Sequence, residues 1–363
     1  MRHMTEVQKT LIIAEAGVNH NGSIALAREL VDAAVSVGAD AVKFQSFVAS
    51  SIVTANAGKA EYQIVNTGSN ESQLEMLQKL ELSHLQQREL FEYCKTRNIQ
   101  FLSTPFDYQS LSFLTTDLGL ETIKIGSGEL TNSPFLFEVA RSARKLILST
   151  GMSTIDEVAE ALGVIALAMS NSSNDAPSTK SIAAALASQE GKNAISSRVA
   201  LLHCTTDYPA KPGDINLNAM LSLRDKFNCQ VGFSDHSVGV HLAVAAVAMG
   251  ANIVEKHLTI SRELPGPDHR ASLEPLEFKT LVEQIREVEV ALGDGEKKPT
   301  NAEIQNKKIA RRSLVAAKSI KNGETFTEEN IVVKRPGNGR SPIEYWSLLG
   351  TKATRDIAEN EII

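Results

Sequence analysis

The feature that most constrains the fold is an alternation of short apolar segments with helical segments, repeated eight times along the chain. The predicted strands cover residues 11–17, 41–47, 100–104, 122–127, 146–150, 199–204, 230–235 and 252–257. Parallel strands need a crossover of helical length between them, and eight such units close into a barrel. The repeat therefore predicts an α/β protein with a (β/α)8 (TIM) barrel. An open, doubly wound sheet is the competing fold, but no Gly-x-Gly-x-x-Gly sequence follows the first strand.

Segments between the strands carry apolar residues at helical spacing. We predict helices over residues 24–37, 72–96, 109–115, 134–144, 217–227, 241–249 and 275–292. A further helix is expected to begin at Thr154, because Glu157 follows at the distance that a capping box requires. Residues 170–180 (SNSSNDAPSTK) are polar and rich in turn-forming residues, which predicts a surface loop.

The character of the chain changes after Gly295. Residues 297–312 are polar and basic, and residues 313–363 contain short strand-like pieces interrupted by KNGE and RPGNGR. This pattern favours a small β-rich domain that follows a linker or arm. We therefore expect a barrel domain over residues 1–295, a linker over residues 296–312 and a small domain over residues 313–363.

Composition argues against several kinds of partner. The net charge of −6 at pH 7 gives no general attraction to nucleic acid or to an acidic membrane. Cys94, Cys204 and Cys229 are widely spaced, form no paired-cysteine metal motif and suit a reducing compartment. The start of the chain (MRHMTEVQKT) has no long apolar run, and no segment has the length of a membrane span. We therefore expect a cytoplasmic protein with neither a nucleic-acid nor a membrane partner.

Two of the predicted strands have a histidine at their ends: His257 in EKH is the last residue of one, and His236 in SDHS directly follows another. Strand ends meet at the mouth of a barrel, where two neutral imidazoles can hold a divalent metal if other coordination positions stay open. Isolated histidines are more often ordinary hydrogen-bonded or surface side chains. A metal site is therefore favoured only if other polar residues collect at the same place.

Polar residues do recur at the C-terminal ends of the predicted strands or just after them. They are Glu15, Lys43, Gln45, Thr104, Lys124, Ser127, Glu129, Thr206, Tyr208, Ser234 and Glu255. A barrel interior prefers branched apolar residues, so this concentration at one rim indicates a binding site. Lysines, hydroxyls and a glycine-flanked backbone can bind a small dianion such as phosphate, and Glu15 can act as an acid or a base. Lys43 or Lys124 could equally form a Schiff base in an aldolase, or a buried salt bridge.

A series of short motifs resembles the bacterial sialic acid synthases in wording and in order. They are IAEAGVNHNG, VKFQSF, STPFD, KIGSGE, STGMSTIDE, LHCTTDYP, GFSDHS, EKHLT and PGPDHRAS. The stretch SLVAAKSIKNGETFTEENIVVKRPGNG resembles the antifreeze-like (SAF) domain of that family, which has a β-clip fold. The resemblance implies a domain-swapped homodimer in which each SAF domain caps the partner's barrel. It also implies condensation of phosphoenolpyruvate with an open-chain N-acetylmannosamine-type sugar, giving a nonulosonic (sialic) acid and phosphate.

The resemblance assigns roles to individual residues. His236 and His257 correspond to the ligands of a divalent metal, normally manganese, with magnesium or cobalt as alternatives. Glu15 corresponds to a glutamate beside the reacting carbons. The phosphoenolpyruvate site corresponds to Lys43, Thr104, Lys124, Ser127 and Ser234. Groups near the metal or the acceptor sugar correspond to Gln45, Glu129, Tyr208 and Asp268.

Two positions need separate comment. Arg335 in KRPGNG corresponds to an arginine that the partner's SAF domain donates to the N-acetyl group of the sugar. Taken alone, that motif could equally be an exposed turn. Some family members have asparagine where this chain has Thr206, next to the phosphate group. Thr206 keeps a hydroxyl donor, so we expect the site to survive with a changed contact.

The residues leave three alternatives open. The first is a Schiff-base aldolase or lyase that uses pyruvate. The second is the same condensation with 2,4-diacetamido-2,4,6-trideoxy-mannose, giving N,N'-diacetyllegionaminate, or with the altrose isomer, giving pseudaminate. The wording of LIIAEAGVNHNG and VKFQSF fits the legionaminic branch slightly better than the sialic branch. The third is a non-catalytic sugar- or phosphate-binding protein that has kept the barrel.

Overall fold

A computed structural model describes residues 9–67, 71–170 and 177–363 of the chain. The chain forms two compact units, Met1–Gly293 and Asp294–Ile363. In the first unit, eight strands run in parallel: β1 Leu11–Gly17, β2 Ala41–Ser46, β3 Gln100–Pro105, β4 Thr122–Ile125, β5 Lys145–Ser149, β6 Val199–Cys204, β7 Gln230–Asp235 and β8 Ile253–His257. The hydrogen-bonded order is β3-β2-β1-β8-β7-β6-β5-β4, and β3 also contacts β4, so the sheet is a nearly closed barrel. The predicted TIM barrel is confirmed.

Helices surround this barrel. Those of the first unit are α1 Ile24–Ser36, α2 Ala49–Ile52, α3 Glu61–Thr67, α4 Gln73–Leu80, α5 His84–Thr96, α6 Tyr108–Ser112, α7 Ser133–Ser142, α8 Ile155–Met169, α9 Thr179–Ala187, α10 Gln189–Arg198, α11 Asn218–Phe227, α12 His241–Ala248 and α13 Pro275–Leu292. A π-helical turn, Phe113–Asp117, follows α6. Within the described ranges, no helix combines the length and the apolar composition that crossing a membrane requires.

The inner face of the barrel changes from apolar to polar along the strands. A small apolar cluster fills one level of the interior: Ile13, Ala41, Leu102, Ile147, Ala200, Leu202 and Ile253. Two residues further along, the same faces of their strands carry Glu15, Lys43 and Thr104. Gly232 lies at the apolar level, where a Cβ would collide with the Ile253 carbonyl and the Leu202 side chain. The packed level therefore forms the floor of a polar C-terminal mouth.

The opposite end of the barrel is tied together by polar contacts from the last helix. Arg286 of α13 lies 2.6 Å from Asp40 Oδ2 and 2.8 Å from Glu289 Oε1. It also donates to the carbonyl of Thr10, 2.9 Å away. These contacts join α13 to the entries of β1 and β2, far along the strands from the polar mouth.

Capping explains one prediction that is confirmed and one that is wrong. Thr154 and Glu157 form the expected capping box at the start of α8. The single helix predicted over residues 72–96 is instead two helices, α4 and α5. Ser83 caps α5 through its own capping box with Gln86. A new N-cap satisfies the first amide groups of α5 and lets the chain turn between the two helices.

Several short helices lie in stretches that the sequence analysis left without structure. They are α2 and α3 after β2, α9 and α10 before β6, and a helix over Asn301–Ala310, named α14, within the predicted linker. Part of the predicted 170–180 loop, residues 171–176, lies outside the described residues. At its far end, α9 already begins at Thr179.

The second unit contains α14 and a small β structure. Strands β9 (Ser313–Ala316) and β10 (Ile331–Lys334) pair antiparallel, and a helical turn, α15, covers Tyr345–Leu348. Its own apolar core consists of Leu314, Ala316, Ile320, Phe326, Ile331, Leu348, Ala353 and Ile357. After β10, the loop that carries exposed Arg335 is held by Ser313, whose Oγ donates to the Pro336 carbonyl at 2.6 Å and accepts from Gly339 N at 2.9 Å.

Candidate active site

The C-terminal mouth of the barrel contains an open cavity of about 280 Å³. Its lining includes all but two of the site residues predicted from the sequence: Glu15, Lys43, Gln45, Thr104, Lys124, Ser127, Thr206, Tyr208, Ser234, His236, His257 and Asp268. The strand register explains this convergence. Glu15 of β1 is the register partner of Lys43 in β2 and of His257 in β8, so these side chains lie at one height.

Two lysines and two carboxylates form the centre of the cavity wall. Lys43 Nζ lies 2.7 Å from Glu15 Oε2 and 3.8 Å from Glu255 Oε2. Lys124 Nζ lies 3.3 Å from Glu255 Oε1, which also accepts a hydrogen bond of 3.0 Å from Ser234 Oγ. All four charged side chains are at least 94% buried. Both lysines therefore form buried salt bridges in this structure, as one of the alternatives left open by the sequence predicts.

The two carboxylates have opposite ionisation behaviour. Burial raises the pKa of Glu15 to about 7, although Lys43 opposes the shift. Burial also disfavours the charged form of Glu255, but Lys124 and Lys43 outweigh it and lower its pKa to about 2. Near neutral pH, Glu15 can therefore hold or release a proton while Glu255 stays ionised. With Glu15 protonated, the cluster carries one excess positive charge, which suits an anionic ligand.

A hydroxyl-lined recess lies beside Lys124, at the ends of β4, β5 and β6. Ser127 Oγ accepts a hydrogen bond from Gly151 N at 2.9 Å and lies 3.1 Å from Cys204 Sγ. A Cβ on Gly151 would collide with Thr206 Oγ1, Ser127 Oγ and Cys204 Sγ. Glycine is therefore the residue that leaves this recess open, and the recess offers hydroxyl donors to a phosphate-like group.

The two predicted metal ligands are close together, and both are uncharged. The rings of His236 and His257 have centroids 5.6 Å apart. Burial lowers the pKa of His236 to about 4 and that of His257 well below its usual value. Tyr208 stacks on His236 at 4.2 Å and meets His257 edge-on at 5.7 Å. Neutral imidazole is the form that binds a metal ion.

The hydrogen bonds of these histidines fit a metal site. His236 Nδ1 lies 2.7 Å from the Thr205 carbonyl, an acceptor that fixes the proton on Nδ1 and leaves the lone pair on Nε2. Nε2 lies 3.3 Å from Ser234 Oγ, whose own hydrogen is donated to Glu255 Oε1 at 3.0 Å, so the Nε2 lone pair can still bind a metal. His257 Nδ1 is buried and has no hydrogen-bond partner among the described residues. The same ranges contain no group of three or more His, Cys, Asp or Glu side chains placed to hold a metal. Two imidazoles would therefore be the protein ligands, and the remaining positions would be open to water or substrate.

One wall of the cavity comes from α3 and α4, outside the barrel strands. Its side chains are largely apolar or aromatic: Tyr62, Met76, Leu77 and Leu80. Tyr62 approaches Tyr208 with ring centroids 5.0 Å apart. Asn66 of α3 donates to the Pro267 carbonyl at 2.6 Å, which ties this wall to the loop that carries Asp268. The cavity thus has a charged base and an apolar side.

Two predicted site residues lie elsewhere. Glu129 does not line the cavity, and its Oε2 accepts a 2.7 Å hydrogen bond from Asn132. Glu129 is the last residue of the 3-10 turn Ser127–Glu129. Arg335 belongs to the second unit.

Comparison with known proteins places the chain in a family. The sequence profile of the NeuB family matches residues 30–297, and that of the SAF domain matches residues 311–363. The chain belongs to the NeuB family. It is 47% identical to the N,N'-diacetyllegionaminic acid synthase of Campylobacter jejuni, over 98% of this chain and 99% of that protein. The Legionella pneumophila protein of the same name is 42% identical over 96% of this chain and 91% of its own length.

The structure of this chain is also similar to a solved structure of a sialic acid synthetase. The N-acetylneuraminic acid synthetase of Leptospira borgpetersenii, crystallised with citrate, aligns with a TM-score of 0.65 and 31% identity. The alignment covers 83% of this chain and 90% of that chain. The resemblance of the motifs to sialic acid synthases is therefore confirmed for this NeuB-family chain, as is the SAF domain at its C-terminal end.

Some cavity residues of this NeuB-family chain received no role from the sequence. Tyr62, Met76 and Leu77 lie in a stretch where no strand end marks them as inward-facing. Cys204 is one of three widely spaced cysteines, and nothing in the sequence marks it as a cavity residue. Glu255 is one of the polar residues that the sequence places at strand ends, but its contacts with both lysines emerge only in the folded barrel.

Proposed function

We propose that this NeuB-family chain is a phosphoenolpyruvate-dependent synthase. It condenses phosphoenolpyruvate with an open-chain N-acetylmannosamine-type sugar and yields a nonulosonic acid and phosphate. The observation that carries the proposal is one cavity at the barrel mouth that joins two buried lysines, a hydroxyl-lined recess and two neutral histidines. An aldolase is not favoured, because the relatives at 47% and 42% identity are named as synthases. At Lys43, Glu15 and Glu255 also outweigh burial, raise the pKa and keep the amine protonated, whereas burial lowers the pKa of Lys124.

Phosphoenolpyruvate is a trianion at most, and its charge needs paired partners in a buried site. Lys43 and Lys124 supply two cations, and Thr104, Ser127, Thr206 and Ser234 supply hydroxyl donors around them. Thr104 already accepts a 3.2 Å hydrogen bond from Lys43, so a bound anion would replace or share an existing contact. We propose that the carboxylate and phosphate of phosphoenolpyruvate occupy this lysine- and hydroxyl-lined part.

The reaction forms one carbon–carbon bond and breaks one carbon–oxygen bond. C3 of phosphoenolpyruvate bonds to the aldehyde carbon, whose oxygen takes a proton. Water adds at C2 and loses one proton. The C2–O bond to phosphate then breaks while the new C2 hydroxyl loses its remaining proton, which gives the ketone of the product and free phosphate. Glu15, with a pKa near 7, is suited to exchange a proton with one of these oxygens. Glu255 stays ionised and holds the two lysines in place.

We propose that His236 and His257 hold a divalent cation, with manganese as the expected ion. When bound, such a cation polarises a carbonyl oxygen as a Lewis acid. Asp268, 4.0 Å from His257 Nδ1, and Tyr208, stacked on His236, border the same part of the cavity. These residues, together with Gln45, would orient the sugar aldehyde beside the histidines. Glu129 faces Asn132, so a role for it requires a change of its side-chain position.

Within the class of acceptors, we propose the 2,4-diacetamido-2,4,6-trideoxy-mannose that leads to N,N'-diacetyllegionaminate. Relatives at 47% and 42% identity carry the name of that synthase. The apolar wall formed by Met76, Leu77 and Leu80 supports the choice on physical grounds. This sugar presents three methyl groups, whereas N-acetylmannosamine presents one, and methyl groups gain free energy when apolar side chains cover them.

We further propose a domain-swapped homodimer in the cytoplasm, in which Arg335 of one chain acts at the barrel of the other. What supports a binding role is the placement of Arg335: it is exposed on a loop that Ser313 and Gly337 hold in place. Gly337 N donates to the Lys308 carbonyl of α14 at 2.9 Å, so the loop and α14 form one local structure.

The deciding experiment measures phosphate release from phosphoenolpyruvate in the presence of manganese. The acceptors compared are N-acetylmannosamine, 2,4-diacetamido-2,4,6-trideoxy-mannose and its altrose isomer, with pyruvate as the control donor. We expect release with the diacetamido-mannose to be fastest, and release to stop after exhaustive chelation. A folded, manganese-loaded protein that releases no phosphate with any sugar would contradict the proposal. A lysine adduct trapped by borohydride with pyruvate would then support an aldolase.

A further inference from the structure

Asp235 and Lys256 form an ion pair directly behind the cavity. Asp235 is the last residue of β7, Lys256 precedes the last residue of β8, and the two are register partners. Lys256 Nζ lies 2.8 Å from Asp235 Oδ2, and neither side chain has any exposed surface. Successive side chains of a strand point to opposite faces, and neither residue lines the cavity. The pair therefore belongs to the outer face of the barrel.

Each member of the pair is flanked by residues of the site. Asp235 separates Ser234 from His236 in the sequence, and Lys256 separates Glu255 from His257. The four flanking side chains all line the cavity. A displacement of either strand end at this level would therefore move a histidine and its neighbour together.

Ser237, the second residue after β7, extends the ion pair into the following loop. Asp235 Oδ1 accepts hydrogen bonds from Ser237 N at 2.8 Å and from Ser237 Oγ at 2.6 Å. Lys256 Nζ donates to the Ser237 carbonyl at 2.5 Å. The polar atoms of Asp235 and Lys256 are thus satisfied by each other and by this loop.

The same loop determines where His236 lies. The His236 carbonyl accepts a 2.9 Å hydrogen bond from Ala210 N, and His236 Nδ1 lies 2.7 Å from the Thr205 carbonyl. Both partners belong to the segment after β6. The backbone of His236 is therefore held by that segment on one side and, through Ser237, by the ion pair on the other.

The stability of the folded protein does not by itself explain why Asp235 and Lys256 are charged residues. Desolvation offsets much of the attraction within a buried ion pair, and apolar residues of similar size often stabilise a protein at least as well. The nearest outward-facing positions on the same strands, Phe233 and Val254, are indeed apolar and buried. A charged, multiply hydrogen-bonded pair differs from an apolar contact in demanding a defined geometry.

We propose that the Asp235–Lys256 ion pair, together with Ser237, positions His236 and His257 for binding a divalent cation. The pair joins the two strand ends at the level of the histidines and keeps their rings at the observed centroid separation of 5.6 Å. None of the three touches the cavity, so they act as positioning residues. This inference rests on the metal role proposed above for the two histidines.

The test uses the full-length protein and measures its affinity for manganese alone, by electron paramagnetic resonance of the free ion. The main variant is the double substitution Asp235→Asn with Lys256→Met, which removes both charges and leaves neither unpaired. We expect it to fold, as judged by circular dichroism and the metal-free melting temperature, while its manganese affinity falls roughly ten- to a hundredfold. The matched control, Arg286→Met, removes an ion pair at the other end of the barrel. It should lower the melting temperature and leave manganese affinity unchanged.

A folded double variant with wild-type manganese affinity overturns the positioning role. If the double variant does not fold, Ser237→Ala decides the matter, because it removes only the Oγ contact with Asp235. We expect it to weaken manganese binding about fivefold, the change that one hydrogen bond of ordinary net strength produces. Unchanged affinity in this variant also overturns the inference. Failure of the wild-type protein to bind manganese would instead contradict the metal role itself, and phosphate release tests the synthase function separately.

Discussion

At the scale of single residues, the cavity separates two glutamates by their surroundings. Glu255 contacts two lysines and a serine hydroxyl, whereas the charged neighbour of Glu15 is Lys43, which it shares with Glu255. Pairs of titratable groups whose environments push their pKa values apart are typical of acid–base sites. Glu15 is thus the group whose protonation changes near neutral pH.

The raised pKa of Glu15 predicts a specific pH dependence of stability. Its pKa is about 7 in the folded protein and 4.5 in an unperturbed side chain, so the folded state binds the proton more tightly. The resulting stabilisation is present at low pH and is lost as pH rises through about 7. Relative to Glu15→Gln, the metal-free wild-type protein should therefore lose stability between about pH 5 and about pH 8.

Chemical denaturation of both proteins across this range measures the effect. Glu92→Gln is the control, because Glu92 is exposed and its ion-pair partner among the described residues is Lys95 on its own helix. The stability difference between wild type and Glu15→Gln should change with pH, and Glu92→Gln shows the effect of removing an exposed carboxylate outside the cavity. Parallel curves for wild type and Glu15→Gln would show that Glu15 titrates at its ordinary value. Glu15→Gln should also lose condensation activity.

At the scale of secondary-structure elements, α3 and α4 matter more than their length suggests. They carry the apolar wall of the cavity, and Ser72 and Glu75 start α4 with a capping box. Buried Met76 and Leu80 anchor α4 against Val18 and Phe47 at the barrel mouth. Leu77 also lines the cavity and is only partly buried, so it is available to a substrate.

Leu77→Asn should change the choice of acceptor. A polar side chain in the apolar wall removes the favourable cover for methyl groups. We expect the ratio of kcat/KM for the diacetamido-trideoxy-mannose over that for N-acetylmannosamine to fall roughly tenfold, the scale at which apolar pockets discriminate small groups. The control is Leu85→Asn on α5, where the leucine is 77% exposed and outside the cavity. An unchanged ratio in Leu77→Asn would place the methyl groups of the sugar elsewhere.

At the scale of the whole molecule, the two units each have a core of their own. The proposed swap makes one unit of each chain serve the partner's barrel. A complete site would then need His257 from one chain and Arg335 from the other. This requirement can be tested without knowing the geometry of the assembly.

Chains that carry Arg335→Ala and chains that carry His257→Ala should complement each other. In a mixed dimer with swapped domains, one site regains both groups and the other site loses both. Differently tagged chains are co-expressed, the mixed dimer is isolated through both tags, and its phosphate release is compared with that of each single-variant dimer. We expect roughly half of the wild-type rate per dimer, since one of two sites is complete. A mixed dimer as inactive as its parents would show that Arg335 acts within its own chain.

Much of the site was predictable because barrel geometry converts sequence position into spatial position. Strand ends in a closed parallel barrel meet at one rim, and side chains two residues apart share a face. Eight apolar segments and the polar residues that end them were therefore enough to bring Glu15, Lys43, Lys124, His236 and His257 into one expected site. The break between α4 and α5 was harder to predict. Apolar residues continue at helical spacing over residues 72–96, and the Ser83 cap that starts a new helix is a weaker signal than that periodicity.

The sequence by itself thus determined the barrel, its polar end and most of the residues collected there, because these follow from local periodicity. Only the tertiary structure decided which of them face one another and which do not. It pairs Glu255 with both lysines, directs Glu129 towards Asn132, and brings the α3–α4 wall over the mouth. It also places the Asp235–Lys256 pair behind the two histidines. Such contacts join residues far apart in the chain, and their geometry depends on packing and on the low polarity of the folded interior.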